Sequence, residues 1–335
     1  MAWETRSVGR SLEKNRARLS TAGASSVKEG ASPTVEIRRS MTRSTANLLL
    51  LTAAAVWGAA FVPQSTAMTQ MSPAWFLTLR FVISTLVLIP FAVREARQRR
   101  RLDPGAVPLM VAVGVVFVAG NLLQQVSLLT TSVANAGFLT SLYILFTPFA
   151  AMAFGRERPN PAVWPAAALG LIGAWLLSGG VSGTFVIGDV LVTLGAVGWA
   201  LQIVLLGLAT RRSDRPMTLV VIEGAMVVAV CGAWAALHDP ISLSAIAAAG
   251  WELAYTGLVA GIVGYSLQAV AQRHTQASDA AIVFSTEAPF AALFGWLFLG
   301  EGLTRGQWAG SAAIFAAVLL VQLWPTRRSA RPEQA

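Results

Sequence analysis

The chain repeats itself. From Gly120 it reads GNLLQQVSLLTTSVANAGFLTS, and 144 positions later, from Gly264, GYSLQAVAQRHTQASDAAIVFS, each stretch crossing from one apolar run into the next. That offset sets Gly120 on Gly264, Leu123 on Leu267, Gln124 on Gln268, Ser141 on Ser285, Glu157 on Glu301 and Trp164 on Trp308. A fold for this sequence must therefore accommodate the same apolar unit twice.

The solvent of that fold is lipid. Hydrophobic residues make up 55% of the chain and charged ones 12%, about half the ~25% of a globular domain, too few for an ordinary aqueous surface. The net charge of +9 sits in short clusters between apolar runs rather than along one face, so nucleic acid is not an expected partner. With Cys231 alone and only His238 and His274, the sequence offers no internal disulfide, metal site or cofactor site.

A bilayer core takes about 20 apolar residues per helix, and ten such stretches occur, near 46–68, 72–93, 106–129, 131–155, 160–180, 187–210, 215–237, 250–273, 276–299 and 303–324. They are continuously apolar, which favours helices over the alternating, roughly ten-residue strands of a membrane barrel. Of the 25 Lys and Arg, 23 fall in the two tails and in alternate loops on one side; Arg80 lies inside a span and Arg305 on the other side. By the positive-inside rule both termini face the cytoplasm, in a plasma (inner) membrane. Each half holds five spans, an odd number, so the second half enters the membrane with opposite orientation. The expected fold is all-α, ten transmembrane helices in two inverted five-helix repeats, 46–180 and 187–324, a layout that places a substrate path between the halves at mid-bilayer.

Residues 1–45 carry nine Lys or Arg and no apolar run, and read as a disordered cytoplasmic tail; translation starts at Met1 or at Met41. RRSMTRS lacks the apolar run that follows a twin-arginine signal and is taken as coincidence. Residues 325–335 form a second cytoplasmic tail.

Specific motifs accompany the layout: AAAVWGAAFV in span one, SPAWFLTLRF in span two, TSVANAGFLTSLYILFTPFAAMAFGRERP across span four, GDVLVTLGAVGWALQIV opening the second half, and STEAPFAALFGWLFLGEGLT in span nine. With these, residues 46–324 resemble the EamA family of the drug/metabolite transporter superfamily. The resemblance implies a permease for a small organic metabolite, an amino acid, a relative of one or a drug, with export favoured. Family members often carry a Pro close after the SLY of span four; this chain has Ile144 there and Pro148 later, which displaces any hinge.

Ionisable groups inside spans cost about 2.5–3.5 kcal/mol on insertion scales and are functional candidates. Glu287 lies roughly 16 Å deep, beside Pro289, a hinge candidate with Pro148, where the helix can bend and free a carbonyl; its repeat equivalent is Tyr143. It either binds a proton or cationic group, with protons as the candidate coupling ion, or ties span nine to its neighbours. Arg80 and Glu223 each fall seven residues after the Pro that opens a span, Pro73 and Pro216, about 10 Å from opposite faces. Arg80 suits a carboxylate or phosphate and Glu223 a cation or gate; otherwise they snorkel or pair. Gln124 and Gln268 are repeat equivalents and cavity candidates, with Asn121 and Tyr265 beside them; Gln125 and Gln202 read more readily as interhelical glue. Trp57 and Trp199, equivalent at an offset of 142, wall a substrate site or pack the core, while Trp75, Trp251, Trp308 and Trp324 read as interfacial anchors. Small residues at Gly306, Gly310, Ala313 and Ala317, and at Gly170 and Ala174, serve internal packing or a homodimer.

No G-x-x-x-x-G-K-[ST] loop appears, so movement is passive or coupled to an ion or counter-substrate. A membrane enzyme is disfavoured because no cluster of His, Cys or paired carboxylates gathers at one depth. A non-transporting receptor or scaffold is the other alternative.

Overall fold

The computed structural model describes residues 41–98, 102–131, 133–155, 157–178, 186–299 and 302–324. Residues 1–40 of the tail expected over 1–45, and the tail expected over 325–335, lie outside them. Among the described residues there are helices and no strands. Thr42 Oγ1 accepts from the Thr45 amide at 3.2 Å, so α1 (Arg43–Ala67) begins inside the segment assigned to the first tail. Pro73 opens α2 (Pro73–Gln98), where its missing N–H has no partner to lose. A 3₁₀ turn, Pro104–Ala106, leads into α3 (Val107–Ser127). Then come α4 (Val133–Thr140), α5 (Tyr143–Ala153), α6 (Val163–Leu177), α7 (Ile187–Ser213) and α8 (Pro216–His238). Asp214 takes a left-handed backbone, φ 54°, which Asp tolerates better than most residues, and turns the chain between α7 and α8.

Nine helical spans among the described residues are long and apolar enough to cross a bilayer, and α6, at 15 residues, is a shorter tenth. The chain is an all-α membrane protein with large apolar side chains such as Leu86, Phe91, Trp175 and Leu319 facing outward.

Three spans depart from the uniform helices expected. After a short α9 (Leu243–Ala248), span eight comprises α10 (Gly250–Ala254), a π-helix over Tyr255–Gly264 and α11 (Tyr265–Ala271). The wide π-turns accommodate α2, whose Arg80 carbonyl and Ile83 side chain would sit 3.0 Å from a Cβ at Gly257. Span four breaks at Ser141–Leu142, and span nine, α12 (Ala277–Phe284) and α13 (Glu287–Leu299), breaks at Ser285–Thr286. Both breaks fall on the repeat-equivalent serines, upstream of the proposed hinges. Pro289 has no N–H to return to Ser285, whose carbonyl accepts from the Ala288 amide at 3.3 Å, while at the break Ser285 Oγ donates to Ile282 O and Thr286 Oγ1 to Val283 O, both at 2.7 Å. Pro148 lies within α5, one turn past its break.

The last span is α14 (Arg305–Leu323), opened by a reciprocal cap between Thr304 and Gln307. It packs along α6, as α2 does along α8 and α3 along α7. Gly310 and Gly173 face each other so closely that a Cβ on Gly310 would lie 2.5 Å from Gly173 O. The small residues of α14 are thus used inside the chain, although Gly306 meets only Thr304, 3.8 Å away.

Candidate functional site

Between these helices lies a cavity with about 690 Å³ of space not filled by atoms. Trp57, Arg80, Asn121, Gln124, Tyr143, Trp199, Tyr265, Gln268 and Glu287 all line it, so the sequence candidates converge on one place; Glu223 alone of the ten stands off the wall. Ala60, Phe61, Gln64, Thr140, Gln202, Ile203, Thr256, Ala260 and Phe284 complete the lining. Gln202 had read as glue. Gln64 carried a legible signal, an amide inside span one beside Pro63, whereas nothing in the sequence separates Thr256 or Ile203 from their apolar neighbours.

Positions matched by the sequence repeat meet in the walls. Tyr143 Oη donates to Glu287 Oε1 at 3.1 Å, two equivalent positions in direct contact. A Cβ on Gly264 would lie 2.4 Å from Trp57 Nε1, and one on Gly120 would lie 3.3 Å from Trp199 Cδ2, so each half seats an indole on the glycine of the equivalent helix. The indoles then differ. Trp199 Nε1 donates to Gln124 Oε1 at 2.8 Å, while Trp57 Nε1 donates to Ala260 O at 3.3 Å, a carbonyl of the π-helix. Tyr265 links them through Phe117: its ring lies tilted 5.1 Å from Trp57 and edge-on 4.9 Å from Phe117, which meets Trp199 edge-on at 5.8 Å.

The charges are unevenly served. Arg80 is 6% exposed, and its terminal nitrogens donate to Gln64 Oε1 at 3.0 Å and Asn121 Oδ1 at 2.5 Å, leaving Nε without a partner. Its guanidinium lies 4.8 Å from the Phe81 ring, and no described carboxylate forms an ion pair with it. Glu287 is 7% exposed and held by Tyr143. Arg80 and Glu223 are not paired with each other. The described ion pairs instead cluster at the other end of the bundle, several joining the two halves: Arg43 with Asp279 at 2.6 Å, Arg211 with Glu157 at 2.7 Å and Arg212 with Asp103 at 2.6 Å. There Asp103, exposed, is held below the usual carboxylate range by hydrogen bonds from Arg212 and the Gly105 amide. Among the described residues no three His, Cys, Asp or Glu side chains gather to hold a metal.

The model of the EamA-like transporter family matches twice, over residues 44–179 and 186–323. The chain belongs to that family. Among curated relatives, an uncharacterized transporter of Archaeoglobus fulgidus is 30% identical over 278 residues, covering 83% of this chain and 86% of the relative. The threonine/homoserine exporter RhtA of Escherichia coli is 28% identical over 284 residues, covering 81% and 88%. A solved crystal structure aligns with a TM-score of 0.68 at 20% identity, covering 84% of this chain and 99% of that one, a likeness of fold. The chain is thus a membrane transporter, and its relatives carry transporter names rather than enzyme names.

Proposed function

We propose that this EamA-family member exports an amino acid or a closely related small metabolite by alternating access of two inverted halves. One observation carries the substrate class: a single cavity holds an unpaired guanidinium and a carboxyl between aromatic walls. Arg80, with no carboxylate of its own, is the partner for a substrate carboxylate. Glu287 and the faces of Trp57, Trp199 and Tyr265 suit an ammonium group. A zwitterion supplies both charges, and RhtA, named for threonine and homoserine export, lends the reading support.

The inverted repeat is supported by the Tyr143–Glu287 contact, the matched Gly–Trp seats and the breaks at Ser141 and Ser285. Helix breaks at the centre of two equivalent spans supply places where one half can rock against the other. Ion pairs joining Arg43, Glu157 and Arg211 across the halves close the bundle at the end assigned to the cytoplasm, and Gln64, Arg80 and Thr256 lie toward the opposite end. That arrangement suits a state facing outward.

The test has two steps. Cells overproducing the protein are screened for resistance to toxic amino acids, and the compound found is followed in proteoliposomes. Glu287→Gln preserves shape while removing the titrating proton; it is expected to reach the membrane normally and to lose the pH dependence of transport. Arg80→Gln is expected to lose saturable transport of carboxylate-bearing compounds. Wild-type rates and pH profile in both would refute the assignment of this cavity.

A further inference from the structure

The cavity does not use every buried carboxyl. Glu223 on α8 is 1% exposed, forms no described ion pair, and stands behind the wall. Its Oε1 accepts from Gln202 Nε2 at 2.8 Å, and its Oε2 has no partner. Gln202 in turn accepts on Oε1 from Gln268 Nε2 at 3.0 Å, and Gln268 Oε1 is left unpartnered in a residue that lines the cavity. Three side chains from α8, α7 and α11 therefore link a sealed carboxyl to the substrate space.

The direction of each amide follows from donor and acceptor chemistry. An ionised carboxylate only accepts. Gln202 must then turn its NH₂ to Glu223 and its carbonyl to Gln268, which commits one of the two N–H groups of the Gln268 NH₂ and leaves the Gln268 carbonyl as the unpartnered acceptor toward the cavity. A protonated Glu223 gains an O–H donor. Gln202 is then free to turn its carbonyl toward Glu223 and its NH₂ toward the Gln268 carbonyl, leaving the Gln268 NH₂ for the cavity.

We propose that Glu223 is a second proton-exchanging group, a positioning residue whose charge sets, through Gln202, whether Gln268 offers the substrate an acceptor or a donor. The proton arrives from water when the halves open to the end nearer Glu223, and returns to water there. A cationic group in the cavity favours the acceptor state and hence the ionised carboxyl, so proton and cation oppose each other, and by linkage each weakens the other's binding by the same factor. Around this relay the titratable and charged groups are Arg80 from α2 and Tyr265 from α11, with Cys231 on α8 itself. Tyr265 interacts with Glu223, Arg80 and Glu287, and Cys231 with Arg80; α3 and α7 face α8 with apolar side chains and amides. The coupling role rests on the transport reading, but the relay itself is measurable without a substrate.

Infrared difference spectra of the purified, lipid-reconstituted protein across a pH titration provide that measurement. Wild type is expected to show carboxyl bands for Glu223 and Glu287, with a glutamine amide change following the Glu223 band. Glu223→Gln is expected to lose one carboxyl band together with the amide change, and Glu287→Gln to lose the other band and keep it. Gln202→Met leaves Glu223 in place but cuts the chain, and is expected to keep the carboxyl band while losing the amide change; it also serves if Glu223→Gln fails to fold. An amide change that survives either Glu223→Gln or Gln202→Met, or a pH titration without any Glu223 band, overturns the relay. Coupled bands in a protein that never moves a compound would keep the relay and reject the transport reading.

Discussion

Helix α1 crosses α13 at Gly58, and the crossing fixes where Glu287 stands. A Cβ added there would lie 2.5 Å from the Glu287 carbonyl oxygen, 2.6 Å from Phe290 Cβ and 2.9 Å from the Ala291 nitrogen. Two of those atoms are backbone and cannot rotate aside, so α13 must retreat by about 1 Å to restore van der Waals separations near 3.5 Å. Overpacking of this kind costs about 1–3 kcal/mol, against which alanine returns roughly 1 kcal/mol of helix propensity. With three contacts inside 3 Å the upper half of the range applies, and Gly58→Ala is expected to lose about 1–2 kcal/mol net. Gly306→Ala, whose Cβ would meet only Thr304 at 3.8 Å, is expected to be neutral or stabilising. Gly310→Ala would meet Gly173 O at 2.5 Å and Leu177 N at 2.8 Å, a comparable clash outside the cavity lining. Thermal unfolding in detergent, read by fluorescence-detected size exclusion, should rank Gly306→Ala at or above wild type and the other two below it. Only Gly58→Ala should also shift the Glu287 carboxyl band, because only there is the displaced backbone that of Glu287. Equal stability of Gly58→Ala and Gly306→Ala, or an equal band shift in Gly310→Ala, would refute the packing argument.

Glu157 accepts from Arg211 at 2.7 Å and from the Ala277 amide at 3.2 Å, joining α7 and the start of α12. A partly exposed pair of this kind is worth about 0–1 kcal/mol, so Glu157→Gln is expected to melt within about 1 kcal/mol of wild type while speeding thiol modification of a cysteine placed at the buried Ser278, in a Cys231→Ser background; an unchanged rate would remove the clamp from the gating scheme. For topology, a reporter enzyme active only outside the cytoplasm is expected to be silent when fused after Trp324 and active when inserted at Thr69–Ser72, and the reverse pattern would invert the membrane orientation.

Depth was legible in this sequence and azimuth was not. Hydropathy located the spans because every residue of a bilayer helix reports its solvent, and the 144-residue offset carried Tyr143 onto Glu287 before their contact was visible. The π-helix left no such mark, since Gly257, Gly261 and Gly264 read equally as packing glycines in an ordinary helix. Nor did the breaks at Ser141 and Ser285, because the prolines that suggest a hinge in the sequence, Pro148 and Pro289, stand seven and four residues further along the chain.

Arg80 and Glu223 show how far depth alone carries an argument. Opposite charges on α2 and α8, two helices that pack along each other, invite pairing. Yet each lies seven residues from the opening proline of an oppositely directed span. Gly224, beside Glu223, faces Thr85, and Gly232 faces Thr78, which offsets Arg80 from Glu223 by roughly 10 Å along the axis at 1.5 Å per residue. With that offset the two do not pair, and each charge finds amides at its own level: Gln64 and Asn121 for Arg80, Gln202 for Glu223. Under the proposed inversion, the placement that keeps the two charges from neutralising each other also spreads them along the proposed transport axis, with the guanidinium on the cavity wall and the carboxyl one amide behind it.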